Sequence, residues 1–231
     1  MAAVVPLADV SRRPTTFPVV TLSIIIINVI VFILELIYGE PFVERWSLVP
    51  ADIAAGRHLE TIFTAMFMHA SWSHIIGNMV FLWAFGPEIE DAMGGWRYAV
   101  YYLLGGVAAM LAQVGFDPHS TVPNLGASGA IAAVMGGFLV TYPHDQIRSL
   151  LVIFVFVQVR YIMAALLIGV WFVLQILSIG PIVTAPTTHA AGGVAYVAHI
   201  GGFIFGAVFA RLFEDPKRIA RQEVTDDPPF V

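Results

Sequence analysis

Residues 19–37 read VVTLSIIIINVIVFILELI, an apolar run whose one charged side chain is Glu35. A helix that crosses the hydrocarbon core of a bilayer needs about 20 predominantly apolar residues, and this run has that length. Similar blocks recur along the chain, and the predicted spans are 19–37, 73–89, 97–115, 127–142, 161–180 and 193–213. The sequence therefore predicts an all-α membrane protein, a bundle of six transmembrane helices.

The composition supports a membrane location for the whole chain. Of the 231 residues, 58% are hydrophobic and 12% are charged, whereas soluble domains carry about 25% charged residues. A net charge of −5 without a basic stripe gives no indication of nucleic-acid binding. The absence of cysteine excludes disulfides, thiolate metal sites and cysteine nucleophiles, and without an HExxH motif a zincin-type metal site has little support. We expect no metal and no cofactor.

The predicted spans form one domain, residues 19–213, between two polar ends. Residues 1–18 are expected to be a cytoplasmic segment, and residues 214–231 a cytoplasmic, disordered tail. The connection 38–72 mixes prolines, charges and aromatic residues, which is typical of a structured, partly interfacial loop. Residues 150–159 are apolar but too short to span, so we expect them to be re-entrant, interfacial or the start of a long fifth helix.

The basic residues predict the orientation. Cytoplasmic loops of membrane proteins carry an excess of Lys and Arg. With the N-terminus inside, only Arg45 and Arg57 of the 11 basic residues fall in outer segments. Both ends are therefore expected in the cytoplasm. The pair Arg12-Arg13 also suits a twin-arginine export signal, but the apolar run after it is too long and no small-residue cleavage site follows.

A few polar side chains lie inside the predicted spans, where each is costly. His74 and Asn78 are four residues apart, on one face of the second span. Ser128 begins the fourth span within the GASG run 126–129, and His199 lies about two turns into the sixth. Because these three spans run in the same direction, the four groups fall at a similar depth below the outer surface. This agreement in depth indicates one shared site.

These residue types are suited to acyl transfer. A serine hydroxyl is a weak nucleophile until a base, usually histidine, removes its proton, which assigns Ser128 and His199 to those roles. His74, Asn78 and backbone N–H groups near Ser128 could stabilise an oxyanion. No Asp or Glu lies in these spans at that depth. We therefore predict a Ser–His dyad.

Structural interpretations exist for the same residues. A serine in a GASG run is by itself more often a helix-packing residue, and Gly202 and Gly206 form a GxxxG pair, which we also interpret as close packing. A lone intramembrane histidine serves as a proton relay or haem ligand about as readily as a base. A transporter, however, predicts charged or paired acidic groups through the full membrane depth, whereas the inner halves of these spans carry charges only near their ends, at Glu88, Arg97 and Arg211. No spacing supports a bis-histidine haem.

The combination of motifs resembles the rhomboid family of intramembrane serine proteases. The matching strings are HASWSHIIGN (69–78), GASG (126–129) and AHIGG (198–202), followed by Gly206. The resemblance runs from about residue 61 to residue 211 and includes the bacterial-type arrangement of six spans. Jointly the motifs are highly specific, whereas GASG alone would be weak.

The resemblance implies a role for each matching residue. Ser128 is similar to the family's nucleophile and His199 to its general base. His74 and Asn78 resemble the oxyanion-stabilising side chains, which the backbone N–H of Ser128 assists. Gly126 and Gly129 leave space for a substrate or a neighbouring helix, and Glu90 matches a structural glutamate. Five residues are expected to give the site structural support: Gly126, Gly129, Gly202, Gly206 and Glu90.

The resemblance also implies partners and a location. Rhomboids open a water-filled cavity toward the outer face and accept substrate helices sideways from the lipid bilayer. The expected partners are single-span or multi-span membrane proteins, and the expected location is the plasma (inner) membrane of a prokaryote. Two departures stand out: Ala132 replaces an aromatic residue that packs on the histidine in many relatives, and Arg45-Trp46 reverses a Trp-Arg pair. An inactive relative that binds membrane helices is the main alternative.

Overall fold

The computed structural model describes residues 2–154, 156–179 and 195–224. Within this part, the chain is mostly helical. The helices in chain order are α1 (Val19–Tyr38), α2 (Glu40–Trp46), α3 (Pro50–Ala54), α4 (Thr61–Thr64), α5 (Trp72–Met93), α6 (Gly95–Phe116), α7 (Ser128–Thr141), α8 (Ala164–Leu177), α9 (Tyr196–Phe213) and α10 (Pro216–Ile219). The strands are β1 (Ala2–Asp9), β2 (Arg12–Arg13), β3 (Gln146–Ile153), β4 (Phe156–Met163) and β5 (Glu223–Val224).

Six of these helices, α1, α5, α6, α7, α8 and α9, overlap the six predicted spans, but residues 161–163 of the predicted fifth span belong to β4 and not to a helix. Residues 180, 193 and 194 of the predicted fifth and sixth spans lie outside the described residues. Among the described helices, α1, α6 and α9 are long and apolar enough to cross a membrane, and α7 and α8 are shorter apolar helices. α5 has 22 residues and extends past the predicted end at residue 89, so that Glu90 and Asp91 belong to its last turn.

Two β-sheets correct the all-α prediction. β1, β3 and β4 form an antiparallel sheet in the order β1-β3-β4, and β2 pairs with β5. The expectation that residues 150–159 begin a long fifth helix is therefore wrong, because residues 150–153 and 156–159 belong to β3 and β4. Their apolar, β-branched side chains favour strands. Pairing with β1 could not be anticipated because Asp9 and its partner Ile147 are 138 positions apart along the chain.

The start of the polar tail is ordered, in contrast to the disorder expected for residues 214–231. α10 begins beside the end of α9, and the side chain of Asp215 caps it by accepting from the N–H of Lys217. β5 then pairs with β2, so this part of the tail is held against the N-terminal segment. Residues 225–231 lie outside the described part of the chain.

α7 lies in the core of the bundle, and close helix packing surrounds it. Every residue from Gly129 to Phe138 is buried. A Cβ on Gly206 of α9 would lie 2.0 Å from the carbonyl oxygen of Ala133, and one on Gly202 would lie 2.1 Å from that of Gly129. The backbones of α7 and α9 are therefore in direct contact, which only glycine at these positions permits.

The inner end of α5 anchors the start of α1. The carboxylate of Glu90 accepts hydrogen bonds from the N–H groups of Val20 and Thr21, at 2.8 and 2.7 Å. These are first-turn donors of α1 that lack a partner within the helix, and a negative charge there also suits the helix dipole. Asp91 accepts hydrogen bonds from Thr15 and lies 3.8 Å from the guanidinium of Arg218.

A buried carboxyl group at the end of β1 predicts a pH-dependent stability. Burial, opposed by the Ser11 N–H and reinforced by the neighbouring carboxylate of Asp145, raises the pKa of Asp9 from 3.8 to about 7. The folded chain thus binds this proton more tightly than the unfolded chain does. The stability that this proton contributes is therefore lost as pH rises from about 4 to about 7.

We expect Asp9→Asn, which keeps an acceptor for Ser11 but cannot ionise, to remove this loss. Its melting temperature in detergent, relative to the native chain, is expected to rise progressively from about pH 4 to about pH 7 and then to stay constant. Thermal unfolding across this range measures the difference. The exposed substitution Asp117→Asn controls for the loss of one negative charge. Melting curves of Asp9→Asn that stay parallel to the native curves at every pH would contradict the prediction.

Candidate active site

Ser128 and His199 meet between α7 and α9. The Oγ of Ser128 lies 2.7 Å from the Nε2 of His199, a hydrogen-bonding distance. Ser128 is the first residue of α7, so its own N–H has no carbonyl partner earlier in the helix. His199 is 8% exposed and lies one turn after the start of α9. The two side chains predicted to act together are therefore in contact.

The other ring nitrogen of His199 contacts α8. Nδ1 lies 2.8 Å from Oε1 of Gln175, and the indole of Trp171 lies against the imidazole at 5.8 Å between ring centroids. Sequence reasoning missed both residues. The sequence did mark Gln175, because it is the one Asn or Gln in the predicted fifth span, residues 161–180. In the predicted orientation that span runs outward, so a residue near its end is expected at the depth of the site.

His74 and Asn78 face the same site from the first turns of α5. This helix starts at Trp72, and the Oγ of Ser71 caps it by accepting from the N–H of His74. The side-chain Nδ2 of Asn78 is buried and has no hydrogen-bond partner among the described residues. An unpaired buried donor is costly. It is therefore available for a group that enters the site.

Gly126 leaves the space between these side chains open. A Cβ at this position would lie 2.9 Å from Cε1 of His74, 3.1 Å from its Nε2 and 3.5 Å from Oγ of Ser128. The backbone of Gly126 also has a φ of +139°, which side-chain-bearing residues rarely adopt. Any other residue would place its Cβ in the space between the hydroxyl of Ser128 and the imidazole of His74.

A cavity of about 520 Å³ contains all four polar groups. Its lining is Ala70, Ser71, Ser73, His74, Gly77, Asn78, Phe81, Pro123, Asn124, Leu125, Ser128, Ile131, Met135, Trp171, Ala195 and His199. The described lining contains no acidic residue. The cavity therefore combines hydroxyl, imidazole and amide groups with apolar walls.

The remaining predicted residues lie in the surrounding structure. Gly129, Gly202 and Gly206 form the close contacts among α6, α7 and α9. Glu90 is 12 residues after Asn78 on α5, or about 18 Å along the helix axis, and binds the start of α1. His69 is buried with its ring centroid 5.1 Å from that of His74, and its N–H donates to Glu35.

Comparison with known proteins identifies the family of this chain. The rhomboid domain family matches residues 56–215, which is more than half of the chain and includes the cavity and α5 to α9. This chain belongs to the rhomboid family. As a rhomboid with membrane-spanning helices, it is an integral membrane protein.

Several named rhomboids are similar to this one. It is 30% identical to mouse rhomboid-related protein 2 over 155 residues, which cover 66% of this chain and 50% of the mouse protein. It is 27% identical to the mitochondrial rhomboid protein 1 of Saccharomyces cerevisiae over 173 residues, 73% of this chain and 45% of the yeast protein. The rhomboid protease GluP of Bacillus subtilis is 32% identical over 78 residues, which cover 34% of this chain and 15% of GluP.

The chain thus spans about half the length of the mouse and yeast relatives. These relatives differ in location, since the yeast protein is mitochondrial by its name and a similar Arabidopsis thaliana protein is chloroplastic. Membership of the family therefore leaves the particular membrane, substrate and activity of this rhomboid to be proposed from its own residues.

Proposed function

We propose that this rhomboid is an intramembrane serine endopeptidase that hydrolyses peptide bonds in or near transmembrane helices of other membrane proteins. The observation that carries the proposal is the 2.7 Å contact between Oγ of Ser128 and Nε2 of His199 inside a cavity. A serine hydroxyl needs a base within hydrogen-bonding reach to become a nucleophile. Ser128 and His199 form such a pair.

In the first step, Nε2 of His199 takes the proton of Ser128 while Oγ attacks the scissile carbonyl carbon. The carbonyl π bond opens, and its electrons form an oxyanion on the tetrahedral intermediate. As the intermediate collapses, the C–N bond breaks and His199 gives its proton to the leaving amine. This leaves an ester between the substrate carbonyl and Oγ of Ser128. His199 then takes a proton from water as the water attacks this ester, and gives that proton back to Oγ as the C–O bond breaks.

The oxyanion would be stabilised by donors that converge on the open space at Gly126. The unpaired Nδ2 of Asn78 is one of them. His74 is a second, because its Nδ1 accepts from the N–H of Ala70 at 3.4 Å, which leaves the proton of a neutral ring on Nε2. The N–H of Ser128 is the third. Fixed donors of this kind are worth about 10²–10³ in rate each.

The proposed setting is a bilayer crossed six times, with both termini in the cytoplasm. Six helices occupy the predicted spans, and the asymmetry of Lys and Arg favours this orientation. The site would then open toward the outer face. We propose the plasma membrane of a prokaryote as the location, single-span or multi-span membrane proteins as substrates, and no requirement for a metal or cofactor.

The alternatives are less well supported by these residues. An inactive relative that only binds membrane helices would have no need for a serine and a histidine in hydrogen-bonding contact. A proton-relay transporter would need ionisable groups along its whole path, but Glu90 and Asp91 are bound to the N-terminal segment instead of forming a chain toward His199.

A serine-reactive phosphonate tests the proposal without knowledge of the substrate. We expect it to modify Ser128 in the native chain and to modify the His199→Ala variant at least about 100-fold more slowly, because the base is missing. Mass spectrometry locates the adduct. Ser71 and Ser73 are matched internal controls, since they line the same cavity but, among the described contacts, neither hydroxyl is bonded to an imidazole. Equal modification of these serines and Ser128 would contradict an activated nucleophile.

A further inference from the structure

His199 is held from one side by two residues of α8. Gln175 contacts its Nδ1 at 2.8 Å, and Trp171 lies against its ring with an interplanar angle of 35°. These two residues are four apart and therefore on one face of the helix. Gln175 is 8% exposed. Inside an apolar bundle, such a buried amide needs partners for its polar atoms.

The second contact of Gln175 determines which amide atom faces the histidine. Its Nε2 donates to the backbone oxygen of Trp171 at 3.2 Å. A carbonyl oxygen only accepts hydrogen bonds, so the amide nitrogen must face Trp171 and the amide oxygen must face His199. The reversed amide would bring two acceptors together at that contact.

The position of this oxygen determines which ring nitrogen of His199 carries the proton. Because Oε1 of Gln175 can only accept, Nδ1 of His199 must carry a proton. A neutral imidazole has one N–H, so its Nε2 presents a lone pair to the hydroxyl of Ser128, 2.7 Å away. This is the tautomer that a general base requires, and the other tautomer would place an N–H against the nucleophile.

We propose that Gln175 is a positioning residue that fixes the tautomer and the ring orientation of His199, so that the Ser–His dyad is held by a third, non-transferring side chain. The inference rests on the proposed protease function. It also accounts for Ala132, because the aromatic support that many relatives place four residues after the serine comes here from Trp171 of α8. A neutral amide adds no charge to stabilise an imidazolium. Its contribution should therefore be smaller than that of a triad carboxylate.

The decisive variant is Gln175→Leu, which has a similar size but no acceptor. For a single-span test substrate in liposomes, kcat is expected to fall about 10- to 100-fold while KM stays within about twofold. The ring-nitrogen NMR shifts of His199, assigned by their loss in His199→Ala, are expected to report less Nδ1–H tautomer. A role in packing alone would not change this signature.

Two further variants separate the contact from general effects on α8. Gln175→Glu keeps an acceptor for Nδ1 and is expected to restore most of the lost kcat. Ser178→Ala is the matched control, because Ser178 also bonds a carbonyl one turn earlier, that of Leu174, but has no described hydrogen bond to His199. Its kcat and its His199 shifts are expected to equal those of the native chain.

The outcomes distinguish this inference from the function on which it rests. Native kcat and native His199 shifts in Gln175→Leu would overturn the positioning role, and so would a reduced kcat with unchanged shifts. If the native chain neither cleaves substrate nor reacts with a phosphonate, the protease function fails. The tautomer measurement still decides then whether Gln175 controls the His199 proton, because it needs no turnover.

Discussion

Ser128→Ala is expected to reduce cleavage of a single-span substrate by at least about 1,000-fold, with the fold intact. The substitution removes the hydroxyl that, among the described residues, is in hydrogen-bonding contact with Nε2 of His199, and another nucleophile could not replace it without a base. Loss of a nucleophile or base in serine proteases costs up to about 10⁶ in kcat. His199→Ala is expected to give a loss of similar size. Because the two residues act as one unit, the double variant should be little worse than either single variant.

Cleavage should be measured in liposomes by product formation over time, with thermal unfolding as the test of folding. Ser23→Ala is the control for loss of a serine, since its exposed hydroxyl donates to the carbonyl of Val19 within α1 and has no other hydrogen-bond partner in the described part of the chain. Its activity is expected to stay within about twofold of native. Cleavage by folded Ser128→Ala at a rate near native would rule out this residue as the nucleophile.

Gly206→Ala is expected to produce the largest loss of stability from a single methyl group. The added Cβ would lie 2.0 Å from the carbonyl oxygen of Ala133 and 2.6 Å from its carbonyl carbon. These are backbone atoms in the core helix α7 and cannot move aside without separating α7 from α9. Overpacking of this kind costs about 3 kcal/mol in the free energy of unfolding, or more. Thermal or chemical unfolding in detergent measures the loss.

The same substitution at Gly169 is the matched control. Gly169 lies within α8, and a Cβ there would meet nothing within 4 Å. Alanine in an open helical position is about 0.5–1 kcal/mol more favourable than glycine, so Gly169→Ala should be neutral or slightly stabilising. Equal stability changes in Gly169→Ala and Gly206→Ala would show that α7 and α9 are not in direct backbone contact. If Gly206→Ala does not fold at all, the intact fold of Gly169→Ala still identifies the contact as the cause.

Local patterns were sufficient for most of the helical architecture. The six predicted spans overlap six helices because a run of about 20 apolar residues has few stable alternatives to a helix in a bilayer. The same patterns failed for residues 150–159. Their hydropathy suited a membrane segment, but residues 156–159 pair with residues 150–153, which in turn pair with β1 from the other end of the sequence. Strand pairing depends on the partner, and the partner cannot be read from the strand.

Part of the candidate site could also be predicted from the sequence, and part could not. Membrane depth can be counted along each span, so the sequence placed Ser128, His199, His74 and Asn78 at one level. The structure brings these residues around one cavity. Gln175 lies at the same depth, but a lone glutamine on a predicted span does not reveal which neighbour it faces. Its bond to His199 depends on the rotation of α8 about its axis.

The sequence by itself determined the membrane class, the helices and the polar residues that could share a site, because these follow from the polarity and spacing of neighbouring residues. Only the tertiary structure decided what holds them in place: Glu90 on the first turn of α1, the backbone contact of α9 with α7, and Gln175 on His199. Each of these contacts joins residues far apart in the chain. Its geometry is set by how whole helices pack and rotate, which local composition does not encode.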